Sequence, residues 1–385
     1  MTTSEPSSDA PVVAVYRQEL FKVTEPFVVD QALSLAHHRP LFVGERVFSS
    51  AAPTDAQVVV PRPMRLFERL RYNWLRNPSR FLELLLPHRP ALVHAHFGID
   101  AAYALPLAKN LGRPLVTTFH GYDATRSNRA FLRSANPKWI TYLRCRAQLA
   151  REGDLFIAVS DFIRERLLQR GFPEERTKTL YTGVDLQRFS PSPPPESPIV
   201  LHVARLTPKK GTSDLISAMR LLRRRVPEAR LMIIGDGPLR KRLEDQAAHE
   251  GVSDVVRFLG GLADRADVVE WTRRSAVACL PSVTAPDGDA EGFGMTLLEA
   301  AAMERPVVAT RHGAFAEVVE NGVTGLLVQE RNPRELADAL EAILGDPQRS
   351  RAMGVAGRRR AEAMFDLRAQ TARLEREYAR LIGAT

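Results

Sequence analysis

Two carboxylates eight positions apart bracket a pair of glycines in EGFGMTLLE, residues 291–299. Glu291 heads the run, and Glu299 falls inside an apolar segment with helical spacing. Gly292 and Gly294 have no Cβ, so a ligand can come close to the backbone there. A helix starting near Met295 or Thr296 presents unpaired first-turn N–H groups, and its dipole adds to their pull on an anion. A phosphate is therefore expected at Phe293, Gly294, Met295 and Thr296. Glu291 then accepts hydrogen bonds from hydroxyls on whatever the phosphate carries, and Glu299 reaches hydroxyls on the other side. Acids flanking a diphosphate describe a nucleotide-sugar site, one acid for the sugar and one for the ribose. A plain loop with Glu299 as a solvated helical acid accounts for the same stretch taken alone.

Three further stretches bear on that reading. In HVARLTPKKGTSDLISA, residues 202–218, Arg205, Lys209 and Lys210 follow a strand directly and Gly211 opens a helix. Arginine offers a planar fork to phosphate oxygens and lysine a mobile point charge. A departing diphosphate needs such charge as its bond to the sugar breaks. A basic turn in water explains this cluster alone, but explains poorly its pairing with an anion site on the same sheet edge. TFHGYD, residues 118–123, puts His120 and Asp123 at another strand's carboxyl end, where His120 can meet a sugar hydroxyl or remain a satisfied loop histidine. IIGDGPLR, residues 233–240, turns on Gly235 and Gly237, as a ligand-facing backbone or as an ordinary strand-to-helix turn. None of these is a Walker loop or a G-x-G-x-x-G fingerprint, so a dinucleotide is not expected. No Cys/His cluster has metal-ligand spacing, and no metal or cofactor is expected beyond the nucleotide-sugar co-substrate.

The elements that must hold these residues follow from hydrophobic pattern. VVAVY (12–16), PLFVG (40–44), ALVHA (91–95), PLVTTF (114–119) and LFIAVS (155–160) read as strands alternating with helices. After SPSPPPESP (190–198) come IVLHVA, RLMIIG, VVRFLG, AVACLP, RPVVAT and TGLLVQ, apolar nearly throughout as doubly covered parallel strands are. The expected organisation is a disordered leader at 1–10, a doubly wound domain over 11–190 and a proline-rich linker at 191–198. A second doubly wound domain covers 199–365, and an amphipathic helix lies within 366–385. Ligands bind beyond the carboxyl ends of such strands, and a two-domain chain can use the cleft between its halves.

At 385 residues, 44% hydrophobic and 26% charged, the chain has the composition of a globular protein of about two domains. Its leader has neither the basic start nor the apolar middle of a signal peptide. Two distant cysteines fit a reducing cytoplasm, the expected location. The net charge of +9 invites a polyanion, but no zinc-finger spacing or RRM-like signature is present, and nucleic acid is not an expected partner. One basic stretch, residues 62–89, carries seven arginines against Glu68 and Glu83, interleaved with Leu66, Phe67, Leu70, Trp74, Leu75 and Phe81. Such a mix suits the anionic inner face of a plasma membrane, or a helix pair with solvated arginines over an ordinary core.

Taken in order, ARLTPKKG, IIGDGPL, VRFLG, EGFGMTLLEA and PVVATRHGAFAEVVENGVTGLLV resemble the retaining glycosyltransferases of family 4, which have the GT-B fold. The resemblance covers nearly the whole chain and implies two Rossmann-like domains facing across a cleft. It implies that Glu291 contacts the donor sugar, Glu299 the ribose, and Arg205 and Lys210 the diphosphate. It also implies that His120 lies near the sugar and that the C-terminal helix crosses back to the first domain. TEPFVVDQ, VHAHFG, TFHGYD and PSVTAPDGDAEGFG are similar to colanic-acid-type enzymes of exopolysaccharide synthesis, implying a sugar or lipid-linked sugar as acceptor. VYRQELFKVTEPF departs from the pattern, since the acceptor loop of many relatives is glycine-rich and this one has no glycine. A nucleotide-sugar epimerase and a silent sugar-nucleotide sensor are the rival readings.

Overall fold

Strands buried on both faces organise each half of the chain. The computed structural model describes residues 7, 9–48, 52–53, 56–261 and 265–383, so residues 1–6 and 8 of the expected leader lie outside the described residues. The chain divides into two units, residues 1–183 with 367–385, and residues 184–366. The division falls at Gly183–Val184, before the proline-rich stretch. That stretch belongs to the second unit, where the Arg305 guanidinium donates to the carbonyls of Ser192 and Pro193 at 3.2 and 2.8 Å.

The main sheet of the first unit has the strands β1 (Val12–Tyr16), β2 (Arg39–Val43), β3 (Val58–Val59), β4 (Leu92–His96), β5 (Leu115–Phe119), β6 (Leu155–Ala158) and β7 (Thr177–Thr179). They form one parallel sheet in the order β3-β2-β1-β4-β5-β6-β7. The order reverses between β1 and β4, paired Val13 to Leu92 through Tyr16 to Ala95, and a doubly wound sheet opens its ligand crevice at such a reversal. The helix Leu367–Ile382 belongs to this unit. Its Glu375 accepts the Ala36 and His37 amides at 3.2 and 2.8 Å and lies 2.9 Å from His38 Nδ1. Its Tyr378 hydroxyl is 2.6 Å from Nδ1 of the buried His94.

The second unit has β8 (Ile199–Val203), β9 (Arg230–Ile234), β10 (Val256–Gly260), β11 (Val277–Leu280), β12 (Val307–Thr310) and β13 (Gly325–Val328). Their order is β10-β9-β8-β11-β12-β13, again parallel, with the reversal between β8 and β11. The core around Val200, Leu215, Leu231, Val277 and Leu340 lies between this sheet and its helices.

Residues 62–89 form two helices, Leu66–Leu75 and Ser79–Leu85. The Glu68 carboxylate accepts the Arg65 amide at 3.0 Å and starts the first, and Arg76 ends it in the left-handed region at φ 53. Leu66, Phe67, Leu70, Trp74 and Leu75 are exposed, from 44 to 76%, beside exposed Arg65, Arg69 and Arg71. Two residues depart from the surface reading. Phe81 is in the core, with its ring 5.6 Å from that of Tyr16. Arg76 turns inward and donates to the Ala102 carbonyl and Gln148 Oε1 at 3.0 and 2.9 Å. The apolar spacing alone does not separate the inner face of a two-turn helix from its outer one.

Candidate active site

At the second unit's reversal, the turn after β8 meets the loop after β11. The turn Pro208–Lys210 is a single 3-10 turn, and the Lys209 carbonyl accepts the Val283 amide at 2.8 Å. That bond brings both lysines to the acidic loop. Lys210 Nζ lies 2.9 Å from Glu291 Oε1, and Lys209 Nζ lies 3.7 Å from the same oxygen and 3.0 Å from Asp289. Glu291 is buried, which would raise its carboxyl, but the charges of Lys209 and Lys210 outweigh burial and hold it at about 2. It is therefore an anion at any physiological pH, able to accept hydrogen bonds and unable to donate a proton. Arg205 is exposed, with its guanidinium unpaired among the described residues.

The helix Met295–Ala302 begins where expected, with Gly294 as its cap at φ 93. Its first amides have no acceptor inside the helix and stand at the sheet's carboxyl edge. Phe293 belongs to the core, packed edge-on against Phe365 at 5.5 Å, so its ring is not offered to a ligand. Glu299 is no solvated acid. It is 8% exposed, and an Arg265 N–H donates to its Oε1 at 2.7 Å. Gly235 and Gly237 each meet a neighbouring backbone closely, as a tight strand-to-helix turn requires. A Cβ on Gly235 would sit 1.9 Å from the Ala204 carbonyl oxygen, and one on Gly237 would sit 2.5 Å from that of Leu206. These glycines let the turn after β9 pack on the backbone flanking Arg205.

In the first unit His120 follows β5, with Nε2 3.0 Å from His96 Nδ1 and its ring centre 4.8 and 4.7 Å from those of Phe27 and Phe97. Burial, helped by the nearby Arg17, pushes its pKa well below the ordinary value and keeps the imidazole neutral. Phe27, Gln31, Thr118, His120 and Thr182 line a small pocket at this edge. Asp123, at the same carboxyl end, is fully buried and accepts the Gly98 and Gly121 amides at 2.9 and 3.0 Å. It shapes the loops after β4 and β5. The glycine-free loop after β1 is held by Arg17, which is ion-paired to Asp100 and Glu25 and lies 4.3 Å from the Phe97 ring centre.

Sequence reasoning missed Asp289, Arg265, His312 and Glu330. Asp289 carried a signal, as an acid two positions before Glu291 in PDGDAEGFG. The other three come from separate elements and meet the site only in three dimensions. Among the described residues no group of three His, Cys, Asp or Glu side chains is placed to hold a metal ion.

Residues 31–188 match the family model described as Glycosyltransferase Family 4, and residues 184–360 match Glycosyl transferases group 1. A putative colanic acid biosynthesis glycosyltransferase, WcaL, of Escherichia coli is 37% identical over 68% of this chain and 63% of its own length. A GDP-mannose-dependent alpha-(1-6)-phosphatidylinositol monomannoside mannosyltransferase of Mycolicibacterium smegmatis is 34% identical over 88% of both chains. In fold, the chain is similar to HepE of Anabaena, solved with UDP and glucose, with a TM-score of 0.78, 24% identity, and 96% of this chain and 100% of that one covered. The chain belongs to glycosyltransferase family 4, as a hexosyltransferase of GT-B fold.

Proposed function

We propose that the protein transfers a sugar from a nucleoside diphosphate to a hydroxyl of a lipid-linked or polysaccharide acceptor, with retention at the anomeric carbon. The observation that carries this reading is the junction of Lys209, Lys210, Glu291 and a helix N-terminus at one sheet reversal. Arg205, Lys210 and the amides of Gly294, Met295 and Thr296 hold the diphosphate and stabilise its charge as the glycosidic bond breaks. No metal ion has a part in this scheme. Glu291, fixed as a carboxylate, orients the donor sugar through its hydroxyls, and Glu299 takes the ribose. Two close carboxylates with one as nucleophile are the usual arrangement in retaining hydrolases. Glu291 instead has its charge committed to the lysines, so the departing diphosphate takes the proton of the incoming hydroxyl on the same face. His120, neutral, is assigned in this scheme as a hydrogen-bond partner of a sugar hydroxyl.

Among the described residues no helix is long and apolar enough to cross a membrane. The exposed apolar side chains and arginines of Leu66–Leu75 support peripheral work at the cytoplasmic face, where a lipid-linked acceptor is presented. UDP-, GDP- and ADP-sugars, each with and without a lipid-linked glycan acceptor, test the reading by nucleotide release. Release that needs the acceptor is expected. Donor conversion with no dependence on acceptor would replace transfer by epimerisation, and binding without turnover across the panel would leave a sensor.

A further inference from the structure

Glu291 is held from behind as well as from the lysine side. Its backbone N–H donates to His312 Nε2 at 3.1 Å. Because Nε2 accepts, the ring proton sits on Nδ1 and is donated to Glu330 Oε1 at 2.6 Å. The Glu330 carboxylate also accepts the Thr284 amide at 3.0 Å and the Thr284 hydroxyl at 3.2 Å. One carboxylate thus fastens Thr284 and, through His312, Glu291, the two ends of the loop TAPDGDAE. Arg331 closes the arrangement, donating to Glu330 Oε2 and to the Thr284 carbonyl at 3.2 and 2.6 Å. His312 follows β12 and Glu330 follows β13, neighbouring strands, so the brace stands on the sheet. The chain at Gly313 approaches so closely that a Cβ there would lie 2.4 Å from the Glu291 carbonyl oxygen.

Resting on the function proposed above, we infer that His312 and Glu330 are positioning residues that fix Glu291 against Lys210 and the donor sugar. Neither is needed to touch the donor. A buried imidazole with both nitrogens engaged transmits the rigidity of β13 to a backbone amide that would otherwise lie in a mobile loop.

The test compares His312→Phe, which keeps a ring and loses both hydrogen bonds, with His312→Gln, whose amide can accept from Glu291 and donate to Glu330. In His312→Phe, turnover falls about 10- to 100-fold, the scale of one or two lost buried hydrogen bonds, while nucleoside diphosphate affinity stays within about threefold. His312→Gln recovers most of the turnover. In a Glu291→Gln background His312→Phe costs nothing further, because its effect runs through Glu291; a merely structural role would add its cost. Amide exchange over residues 284–294 rises about tenfold or more in His312→Phe, a readout independent of activity. Unchanged exchange, an additive double variant or no recovery in His312→Gln would overturn the inference. Wild-type protein inert on every donor would instead remove the proposed function, leaving the brace to be judged by exchange alone.

Discussion

Replacing Glu291 by glutamine should move nucleotide binding and turnover in opposite directions. In the free protein the carboxylate lies 2.9 Å from Lys210 and 3.7 Å from Lys209. Burial pulls its pKa up, yet the two lysines bring it from an ordinary 4.5 to about 2. At 1.36 kcal/mol per pH unit, that displacement favours the ionised, lysine-paired state by about 3 kcal/mol. An arriving diphosphate competes for the same lysines and meets a negative neighbour. Glutamine keeps the shape and removes both obstacles. If about half of that free energy is released to the ligand, roughly 1.5 kcal/mol, nucleoside diphosphate binds about tenfold more tightly. Turnover should fall about 10²-fold or more, since the donor sugar loses its charged anchor. Calorimetric titration with UDP, GDP and ADP, beside nucleotide release on the matching sugar donors, reads both quantities. A folded Glu291→Gln variant that binds nucleoside diphosphate no better than wild type would refute the shared-lysine reasoning, and an unfolded one would make Glu291 structural.

Arg205→Ala and Lys210→Ala should each lower kcat about 10²-fold, the usual loss of one electrostatic stabiliser; near-normal rates in both would remove the diphosphate assignment. Changing Arg65, Arg69 and Arg71 together to Gln should weaken binding to anionic vesicles by about 10²-fold at low salt, at roughly 1 kcal/mol per basic residue, as read by flotation. Arg76→Gln should leave vesicle binding unchanged and lower the melting temperature, because that guanidinium is bonded inward to Ala102 and Gln148. His202 is buried and neutral, its pKa lowered to about 4 by burial against the opposing pull of the Cys279 carbonyl. Its folded pKa lies below the unfolded value, so its contribution is whole above about pH 6.5 and is lost as pH falls to about 4. His202→Gln should therefore lose about 3 kcal/mol less stability than wild type across that window, measured by urea unfolding.

Much of the frame was legible because parallel strands covered on both faces are apolar nearly throughout. VVAVY and the six runs after the proline stretch stand out against their helices for that reason. The start of the helix at Met295 was legible too, since a glycine directly before an apolar run marks a helix end. What escaped was side-chain direction. Arg76 and Arg71 are both arginines in one basic stretch, yet one reaches a carbonyl inside the unit and the other stays in water. Asp123 and His120, three positions apart, divide in the same way between loop scaffold and pocket wall. Gly235 and Gly237 show a second limit. A glycine reports that something comes close, and only the fold tells that here it is the backbone flanking Arg205. His312 and Glu330 were beyond reach because their meaning lies in strand adjacency.

The helix Leu367–Ile382 has a consequence for how the chain is made. Residues 184–366 form the second unit, so the first is assembled from two pieces separated by 183 residues. When the last strand of its sheet has emerged, His94 still lacks the Tyr378 hydroxyl, and the Ala36 and His37 amides still lack the Glu375 carboxylate. At about 5–20 residues per second, a ribosome needs roughly 10–40 s to supply them. Throughout that interval the nascent first unit carries an uncovered strip along Leu35, His38 and His94. The second unit, contiguous in sequence, can finish folding before the one that precedes it.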